Sequence, residues 1–462
     1  MTILRRMTVL RRVWVVAAGY ALVLFALGID RFVTYHAGAD LGLFTQSIAS
    51  VFRGFSNTVE GGSHFTFHFS PILYLCAPFL LLAHSALALT ALQAIGGALA
   101  IPPAYLLARK RLPEATAFLV ACVTALYPPL VGVTFTDFHE NGFAAAATLW
   151  LFWALDVKNF RLATAFLVLA LSIKEDQAAM LGCAGLLALG YFVRTKDRER
   201  AIFAAATCAA SALTLLAFFE YVRPLAGAKD LWAPSHFYRW AQDAVAPGLA
   251  PWNSIGRPAY VLEAMLPLAF VCLLSPACIL ALPGFVEVLA SHESLTYTMG
   301  THYAAVWIPY LLFAFIEGLA RLREQSERFA NNAVYAALAL CVIVLAVASP
   351  THWGHYLGLR TEHDAVLDRA AARVSASADV GTFDEMYAHI GFNPNARLGL
   401  GAEPRYALLD SRLENPLFAQ RWRPILRRDL ALGAYRLLWT YDGVELYERR
   451  GGTPRAGAKP HR

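Results

Sequence analysis

Long apolar runs alternate with short basic clusters along the first 350 residues of the chain. The apolar runs are about 20 residues long, which is enough to cross a hydrocarbon core of roughly 30 Å. Of the 23 Lys and Arg residues before Pro350, 16 lie in five clusters, at 5–12, 109–111, 158–161, 194–200 and 321–328. Because cationic loops resist translocation, such clusters mark the cytoplasmic ends of transmembrane helices. The pattern predicts an α-helical polytopic membrane protein.

Placing every cluster in the cytoplasm predicts about eleven transmembrane helices, a cytoplasmic N-terminus and an extracytoplasmic C-terminus. The stretch 70–83 is short and Pro-interrupted, so it is predicted to be juxtamembrane or re-entrant rather than spanning. Residues 259–290 are predicted to form two short helices that turn at Ser275-Pro276. The remaining spans are expected at about 13–32, 85–108, 114–131, 140–156, 160–173, 177–193, 201–222, 303–320 and 331–349.

The N-terminal apolar run, Val13–Ile29, follows four arginines as it would in a signal peptide. It is longer than a signal core and no small-residue cleavage site ends it, so a retained signal anchor is predicted. The first outer loop, 33–84, then carries apolar residues at helical spacing, which predict an amphipathic helix lying along the membrane surface. These residues are Leu41, Phe44, Ile48, Val51 and Phe52.

After Pro350 the chain is charged, is punctuated by Pro and Gly, and has no spanning segment. Alternating apolar residues predict three strands and a preceding amphipathic helix, at Tyr406–Asp410, Tyr435–Tyr441, Val444–Glu448 and Asp364–Ser375. Asp442-Gly443 is a hairpin-turn signal. The sequence therefore predicts a transmembrane domain over 1–350, which includes the loop 33–84, and a small extracytoplasmic α/β domain over 351–462.

Composition agrees with this architecture, since 58% of residues are hydrophobic and only 16% are charged. The net charge of +6 arises largely from the basic clusters, and no basic stripe with interleaved aromatics indicates nucleic-acid binding. The seven cysteines lie in apolar runs without metal-type spacing and are interpreted as packing residues.

The predicted topology gathers titratable residues on one side of the membrane. All 13 histidines fall outside or at the outer edge, together with the acidic motifs Asp137–Glu140 and Lys174–Asp176. The first loop contributes Tyr35–Gln46 and His64–Tyr74, and His302-Tyr303 precedes a later helix. Such a distribution indicates a working face outside the membrane.

The order of these motifs resembles a family of prokaryotic multi-pass membrane proteins classed as a domain of unknown function. That family is similar to the C-type glycosyltransferases, which use sugars linked to a lipid phosphate. The resemblance covers roughly residues 30–320, and the Asp-Leu-Gly-Leu-Phe, His-Phe-Ser-Pro and Asp-Phe-His motifs carry it. It implies an acidic catalytic residue in the first outer loop, which is Asp40 here. The chain lacks the Trp-Trp-Asp signature of the oligosaccharyltransferase branch, so peptide glycosylation is not expected.

Each candidate residue also has a structural interpretation. Asp40 suits a helix N-cap as well as a general base that accepts the proton of an acceptor hydroxyl. His64 and His68 are four residues apart, a spacing found in metal sites, but they also suit phosphate or acceptor contacts or a polar interface.

The two later motifs leave similar alternatives. Asp137, His139 and Glu140 have two interpretations. Acidic residues at a helix N-terminus interact favourably with the helix dipole, and the same residues suit a site for a divalent ion or a hydroxylated acceptor. Lys174, Glu175 and Asp176 fit either a solvated turn or an ammonium that anchors a phosphate. His302 is a further candidate for a substrate contact. Four residues of the predicted outer loop at about 223–258 are candidates for phosphate contacts, namely Arg223, His236, Arg239 and Arg257.

The leading hypothesis is an inner-membrane glycosyltransferase that moves a sugar from a polyprenyl-phosphate donor to an extracytoplasmic lipid or glycan. A divalent metal ion is possible, and the bilayer and the donor lipid are the expected partners. A transporter or lipid flippase is the alternative, but such proteins usually place ionisable residues near the middle of the membrane. A non-catalytic scaffold is the third hypothesis. The candidate residues Asp40, His64, Asp137, Glu140 and Lys174 are expected to face one cavity.

The topology can be tested with reporter fusions. A reporter fused after Leu400 is expected to signal an extracytoplasmic location, because about eleven crossings from a cytoplasmic N-terminus put the C-terminal domain outside. Fusions within the basic clusters provide cytoplasmic controls. A cytoplasmic signal after Leu400 would contradict the predicted number of crossings.

Overall fold

The computed structural model describes residues 2–228, 238, 256–349, 353–401, 403–412 and 422–450. The chain divides into two compact units. The first, called the membrane unit, comprises 1–26, 68–73 and 91–353. The second, called the loop–tail unit, comprises 27–67, 74–90 and 354–462. Most of the first loop therefore groups with the C-terminal part of the chain.

The α-helices in chain order are α1 (Thr2–Val33), α2 (Ala39–Ala49), α3 (Leu73–Ala83), α4 (Leu87–Ala98), α5 (Ile101–Arg109), α6 (Glu114–Leu126), α7 (Pro128–Phe135), α8 (Ala144–Asp156), α9 (Phe160–Leu171), α10 (Glu175–Arg194), α11 (Arg198–Ala217), α12 (Arg223–Ala226), α13 (Gly256–Met265), α14 (Leu282–Ala290), α15 (Ile308–Gln325), α16 (Glu327–Val347), α17 (Trp353–Tyr356), α18 (Glu362–Arg373), α19 (Asp384–His389) and α20 (Arg423–Ala431). The strands are β1 (Ser56–Asn57), β2 (Gly62–Ser63), β3 (Val380–Thr382), β4 (Ala396–Leu398), β5 (Tyr406–Asp410), β6 (Tyr435–Tyr441) and β7 (Val444–Arg449).

Five helices of the described chain are long and apolar enough to cross a membrane. A sixth is added if α6 and α7, which meet at a bend of 44°, count as one span. Several other apolar helices are shorter, including α9 with 12 residues. The prediction of about eleven crossings therefore stays a prediction. The five helices cover Val9–Val33, Leu87–Arg109, Glu175–Arg194, Arg198–Ala226 and Glu327–Val347.

Prolines and left-handed residues determine where the apolar runs break. One break lies at Pro128-Pro129: α6 ends at Leu126, and Tyr127 is extended before Pro128 opens α7. Residues 259–290 differ from the two helices predicted there. Ala269 and Phe270 adopt positive φ angles of 50° and 57°, and short 3₁₀ segments fill the chain between α13 and α14.

The basic clusters of the membrane unit meet at one end of its helices. Lys110 Nζ lies 3.2 Å from a carboxylate oxygen of Asp156, and Lys158 Nζ lies 3.2 Å from Glu199. Arg323 donates to the backbone carbonyl of Arg111. Loops that alternate along the chain thus share one face, which is the arrangement that the charge pattern predicts.

The C-terminal part of the loop–tail unit contains a five-stranded mixed sheet in the order β4-β3-β5-β7-β6. β3 runs parallel to both β4 and β5, whereas β7 is antiparallel to β5 and β6. The predicted hairpin is confirmed: Asp442 and Gly443 have φ angles of 51° and 87°, as a tight turn between twisted strands requires. The predicted amphipathic helix corresponds to α18, which begins in a capping box at Thr361.

The predicted amphipathic helix of the first loop corresponds to α2, but its apolar residues do not face lipid. Leu41, Phe44 and Ile48 are all buried within the protein, while Phe52 lies beyond the helix and is exposed. α2 packs on α19, and the close approach leaves no room for a side chain at Gly42, where a Cβ would lie 2.5 Å from the ring of Tyr387. The loop and the tail therefore share one packed core.

A buried amide fixes this contact between α2 and the tail. Gln46 Nε2 donates to the carbonyls of Asn393 at 2.7 Å and Ala396 at 3.1 Å. Its Oε1 accepts from the Tyr387 hydroxyl at 2.8 Å and from the Thr58 backbone N–H at 2.7 Å. A buried amide without hydrogen-bond partners costs free energy of folding. The four hydrogen bonds of Gln46 therefore favour one register of α2 on the tail.

Gly42→Ala is expected to lower the thermal stability of the purified protein, because the new methyl group meets the ring and the backbone of Tyr387. Gly190→Ala is the matched control, since it also lies inside a helix but has open space around it. The control should gain up to about 1 kcal/mol from helix propensity. Equal melting temperatures for the two variants would contradict the observed packing of α2.

Candidate functional site

Most of the candidate residues lie in the membrane unit, in three short segments that connect its helices. The segment between α7 and α8 contributes Asp137, His139 and Glu140, and the start of α10 contributes Lys174, Glu175 and Asp176. His68 and His302 lie in the same unit. Asp40 and His64 belong to the loop–tail unit, so a cavity common to all of them stays a prediction.

The side chain of Gln93, in α4, holds the segment after α7. This residue is 1% exposed. Its Nε2 donates to the carbonyls of Thr136 at 2.7 Å and Asp137 at 3.1 Å, and its Oε1 accepts the backbone N–H of His139 at 2.7 Å. A helix leaves its last carbonyls without intrahelical hydrogen-bond partners. Gln93 supplies donors to the carbonyls at and after the end of α7, and so holds the Asp-Phe-His motif in place.

Lys174 is buried between two acidic side chains. Its Nζ lies 3.7 Å from Glu140 Oε1 and 3.9 Å from Asp176 Oδ2. Burial alone would lower the pKa of this ammonium, but the surrounding carboxylates outweigh burial and raise its pKa above the ordinary lysine value. Lys174 therefore stays charged. A solvated turn does not describe this cluster, because the Lys174 side chain is only 10% exposed.

The two acids at the start of α10 are each held by a hydrogen-bonding partner. Glu175 accepts from the backbone N–H of Phe69 at 2.7 Å and lies 2.8 Å from His68 Nδ1. Asp176 accepts from the Asn141 side chain at 3.0 Å. Acidic groups in the first turn also complement the helix dipole. The cluster is thus cross-linked to the segments on either side of it.

His139 and His302 stack face to face, with ring centroids 3.4 Å apart. The His302 segment reaches this position because Gly300 packs directly on Gly132 of α7, where a Cβ would lie 2.5 Å from the Gly300 Cα. Burial, His139 and Lys174 together lower the pKa of His302 well below its ordinary value, so its ring is neutral. The neutral His302 ring therefore stacks on His139 beside the charged cluster.

In the loop–tail unit, Asp40 lies in the first turn of α2 and is exposed. The capping interpretation is wrong, because Gly38 occupies the N-cap position and Asp40 lies two residues further along. His64 is 1% exposed, and its Nδ1 lies 3.0 Å from Glu60 Oε1. His64 and His68 do not share a helical face, since only a short 3₁₀ turn, His64–Thr66, forms there.

Two of the further arginine candidates have structural contacts. Arg257 donates to the carbonyls of Leu289 and Ser291, both at 2.7 Å, and so completes the end of α14. Arg223 is buried beside the ring of Phe219. His236 and Arg239 lie outside the described residues.

The residue types of the cluster suggest a divalent ion, but their arrangement does not fit one. Across the described part of the chain, no group of three His, Cys, Asp or Glu side chains is placed to hold a metal ion. The Lys174 ammonium already lies between Glu140 and Asp176, where a cation would otherwise be expected.

Sequence reasoning missed the amides that organise the site. Gln93, Asn141 and Gln177 are all buried, and the last two donate to Asp176. The signal available for Gln93 is a single polar residue within an otherwise apolar helix, since an amide there requires hydrogen-bond partners.

The chain belongs to the membrane-protein family described as predicted membrane protein (DUF2079), whose model matches residues 33–359. No curated protein matches this sequence. ArnT from Cupriavidus metallidurans bound to undecaprenyl phosphate has a similar structure, with a TM-score of 0.55 and 14% identity over 94% of this chain and 97% of its own. The apo state of ArnT matches the same shares of the two chains, with a TM-score of 0.54 and 13% sequence identity.

The oligosaccharyltransferase of Archaeoglobus fulgidus, in complex with Zn and sulfate, matches 93% of this chain and 73% of its own, with 14% identity and a TM-score of 0.42. The likeness to ArnT extends along nearly the whole of both chains. The expected fold is therefore confirmed as a largely helical membrane protein with an ArnT-like fold and a small sheet domain near the C-terminus.

Lys174→Gln is expected to destabilise the protein by about 3–5 kcal/mol, because it leaves buried Glu140 without its counter-charge. Adding Glu140→Gln should restore part of the loss, since the uncompensated charge is then removed. Lys158→Gln is the control: its side chain is 46% exposed and its ion pair is worth at most about 1 kcal/mol. Thermal unfolding in detergent measures all four proteins. Equal stability of the Lys174 and Lys158 variants would contradict the paired burial of Lys174.

Proposed function

We propose that this protein is an integral-membrane glycosyltransferase that moves a sugar from a polyprenyl-phosphate carrier to an extracytoplasmic lipid or glycan. The observation that carries the proposal is the full-length fold likeness to ArnT, a protein whose structure is known with undecaprenyl phosphate bound. The family match and the helices that are long and apolar enough to span a membrane support this proposal, since a polyprenyl lipid resides in the bilayer. The working face would be extracytoplasmic in the inner membrane.

The cluster around Lys174 supports a phosphate contact in the proposed reaction. An ammonium held charged at the edge of spanning helices is a strong partner for a phosphate oxygen. Asn141 and the Phe69 backbone N–H hold the neighbouring carboxylates, Asp176 and Glu175, in place. The Lys174 ammonium is thereby positioned before any ligand binds. His68 is 33% exposed on its side chain and offers a second donor near Glu175. These groups would hold the leaving phosphate.

Asp40 is the proposed general base. In the reaction, the acceptor hydroxyl oxygen attacks the anomeric carbon while the bond from that carbon to the phosphate oxygen breaks. The bonding electrons leave with polyprenyl phosphate, and the hydroxyl proton passes to the Asp40 carboxylate. Asp40 suits this role because its side chain is exposed on a helix that is fixed to the tail through Gln46.

The stacked histidines and the adjacent segment support binding of the acceptor or the sugar. Neutral imidazoles donate and accept hydrogen bonds with hydroxyl groups, and the His139–His302 pair offers an aromatic face for a sugar ring. We include Asp137, Glu140 and the buried His64 among the side chains proposed to bind the substrate. No step of this mechanism passes through a metal ion, since the donor set does not fit one.

Asp40→Asn is expected to reduce sugar transfer by about 10²–10⁴-fold, because the amide keeps the shape of the side chain but cannot accept the proton. The measurement is release of polyprenyl phosphate from a labelled lipid-linked sugar by purified protein in nanodiscs. Thermal unfolding of the same sample checks that the fold is intact.

Glu327→Gln is the matched control for this test. Glu327 is also an exposed acid in the first turn of a helix, so its amide variant loses the same favourable interaction with the helix dipole. It should transfer sugar at the wild-type rate. Full activity of Asp40→Asn would exclude Asp40 as the base, and a wild-type protein that is inactive with every lipid-linked donor would favour transport instead.

A further inference from the structure

A narrow apolar cleft lies among α8, α10 and α11, at the end of these helices that carries the basic clusters. Its enclosed volume is about 70 Å³, and it is partly open to the surroundings. Its walls are almost entirely apolar and include Leu151, Leu181, Ala188, Phe192 and Phe203. Since α10 and α11 are long and apolar enough to span a membrane, the cleft lies at the depth of lipid chains.

The cleft is separate from the candidate site described above. That site lies at the first turn of α10, whereas the cleft extends towards the last turn of the same helix. α10 has 20 residues, so its two ends are about 30 Å apart. The residues of the cleft have no role in the proposed transfer of a sugar.

Arg200 fixes one end of the cleft. Its guanidinium donates to the carbonyls of Leu155 at 3.0 Å and Asp156 at 2.9 Å, and to the Asp197 carboxylate at 3.0 Å. These bonds tie the start of α11 to the end of α8. The loops after both α8 and α10 are thereby held beside the opening of the cleft.

The loops at this end carry an excess of positive charge. Their exposed cations are Lys158, Arg161, Arg194, Lys196 and Arg198. The nearby acids are largely engaged: Asp156 lies within 3.2 Å of Lys110 and 2.9 Å of Arg111, and Glu199 lies 3.2 Å from Lys158. Arg194, Lys196 and Arg198 lie at or near the loop that joins α10 to α11, the two helices that line the cleft, and their side chains are exposed.

We propose that this cleft is a binding site for an anionic phospholipid of the bilayer. One acyl chain would lie against Leu181, Ala188 and Phe203, and the phosphate would contact the cations at 194–198. An apolar slot alone would accept any lipid chain. The adjoining positive charge favours an anionic headgroup, as in basic pockets between transmembrane helices.

The test uses full-length protein in nanodiscs of equal parts phosphatidylglycerol and phosphatidylcholine, followed by native mass spectrometry of the lipids that remain bound. Wild type should retain phosphatidylglycerol in preference to phosphatidylcholine. Ala188→Phe should abolish most of this retention, because the ring fills the cleft. Ala206→Phe is the matched control, since Ala206 is exposed on α11 and does not line the cleft.

A second variant keeps the test decisive if Ala188→Phe fails to fold. Lys196→Gln combined with Arg198→Gln alters only exposed side chains and should reduce the preference for phosphatidylglycerol by about fivefold for each cation removed. Equal retention of both lipids by wild type would overturn the proposal. So would an unchanged preference in the double variant, or full retention by a folded Ala188→Phe protein.

Discussion

The burial of the Lys174 ammonium is the interaction on which the candidate site depends. A charge removed from water requires opposite charges and fixed donors around it, and the surrounding chain supplies both. Glu140 comes from the segment after α7, and Asp176 comes from the start of α10. Because these carboxylates lie in different connections, pairing them with one lysine fixes the relative positions of α7, α8 and α10.

The negative charges of the cluster outnumber its lysine, and hydrogen-bond partners from the surrounding segments compensate for the difference. Asn141 donates to Asp176, a backbone N–H donates to Glu175, and His68 lies beside Glu175. Gln93 extends this network to the backbone, since it completes the carbonyls at the end of α7. The amide in α4 thus satisfies carbonyls that the end of α7 leaves without intrahelical partners.

Features that depend on local chemistry could be predicted from the sequence. The strands Tyr406–Asp410 and Tyr435–Tyr441 have the predicted bounds, and the turn at Asp442-Gly443 follows from residues that tolerate positive φ. The proline break between α6 and α7 is equally local. The basic clusters also predict which helix ends meet, because their sign carries topological information.

Features that depend on contacts distant in sequence could not be predicted. The apolar face of α2 has the pattern of a membrane-surface helix, and nothing in that pattern distinguishes lipid from the tail domain as its partner. The relevant contact joins Gln46 to Asn393 and Ala396, nearly 350 positions away. Positive φ at Ala269 and Phe270 likewise has no signal in residues of these types, which rarely adopt it.

The contacts of Glu140, Glu175 and Asp176 give these three acids a structural role in the membrane unit. Glu140 neutralises a buried lysine, and Asp176 is held by two amides, so protonating either during a reaction would disturb the packing of the membrane unit. Glu175 is tied to a backbone N–H and a histidine ring. Asp40 is exposed in the first turn of a helix whose position is fixed elsewhere, by Gln46 and by the packing of Gly42. The proposed role of Asp40 requires a carboxylate that changes its protonation state in every cycle while the helix that carries it stays in place.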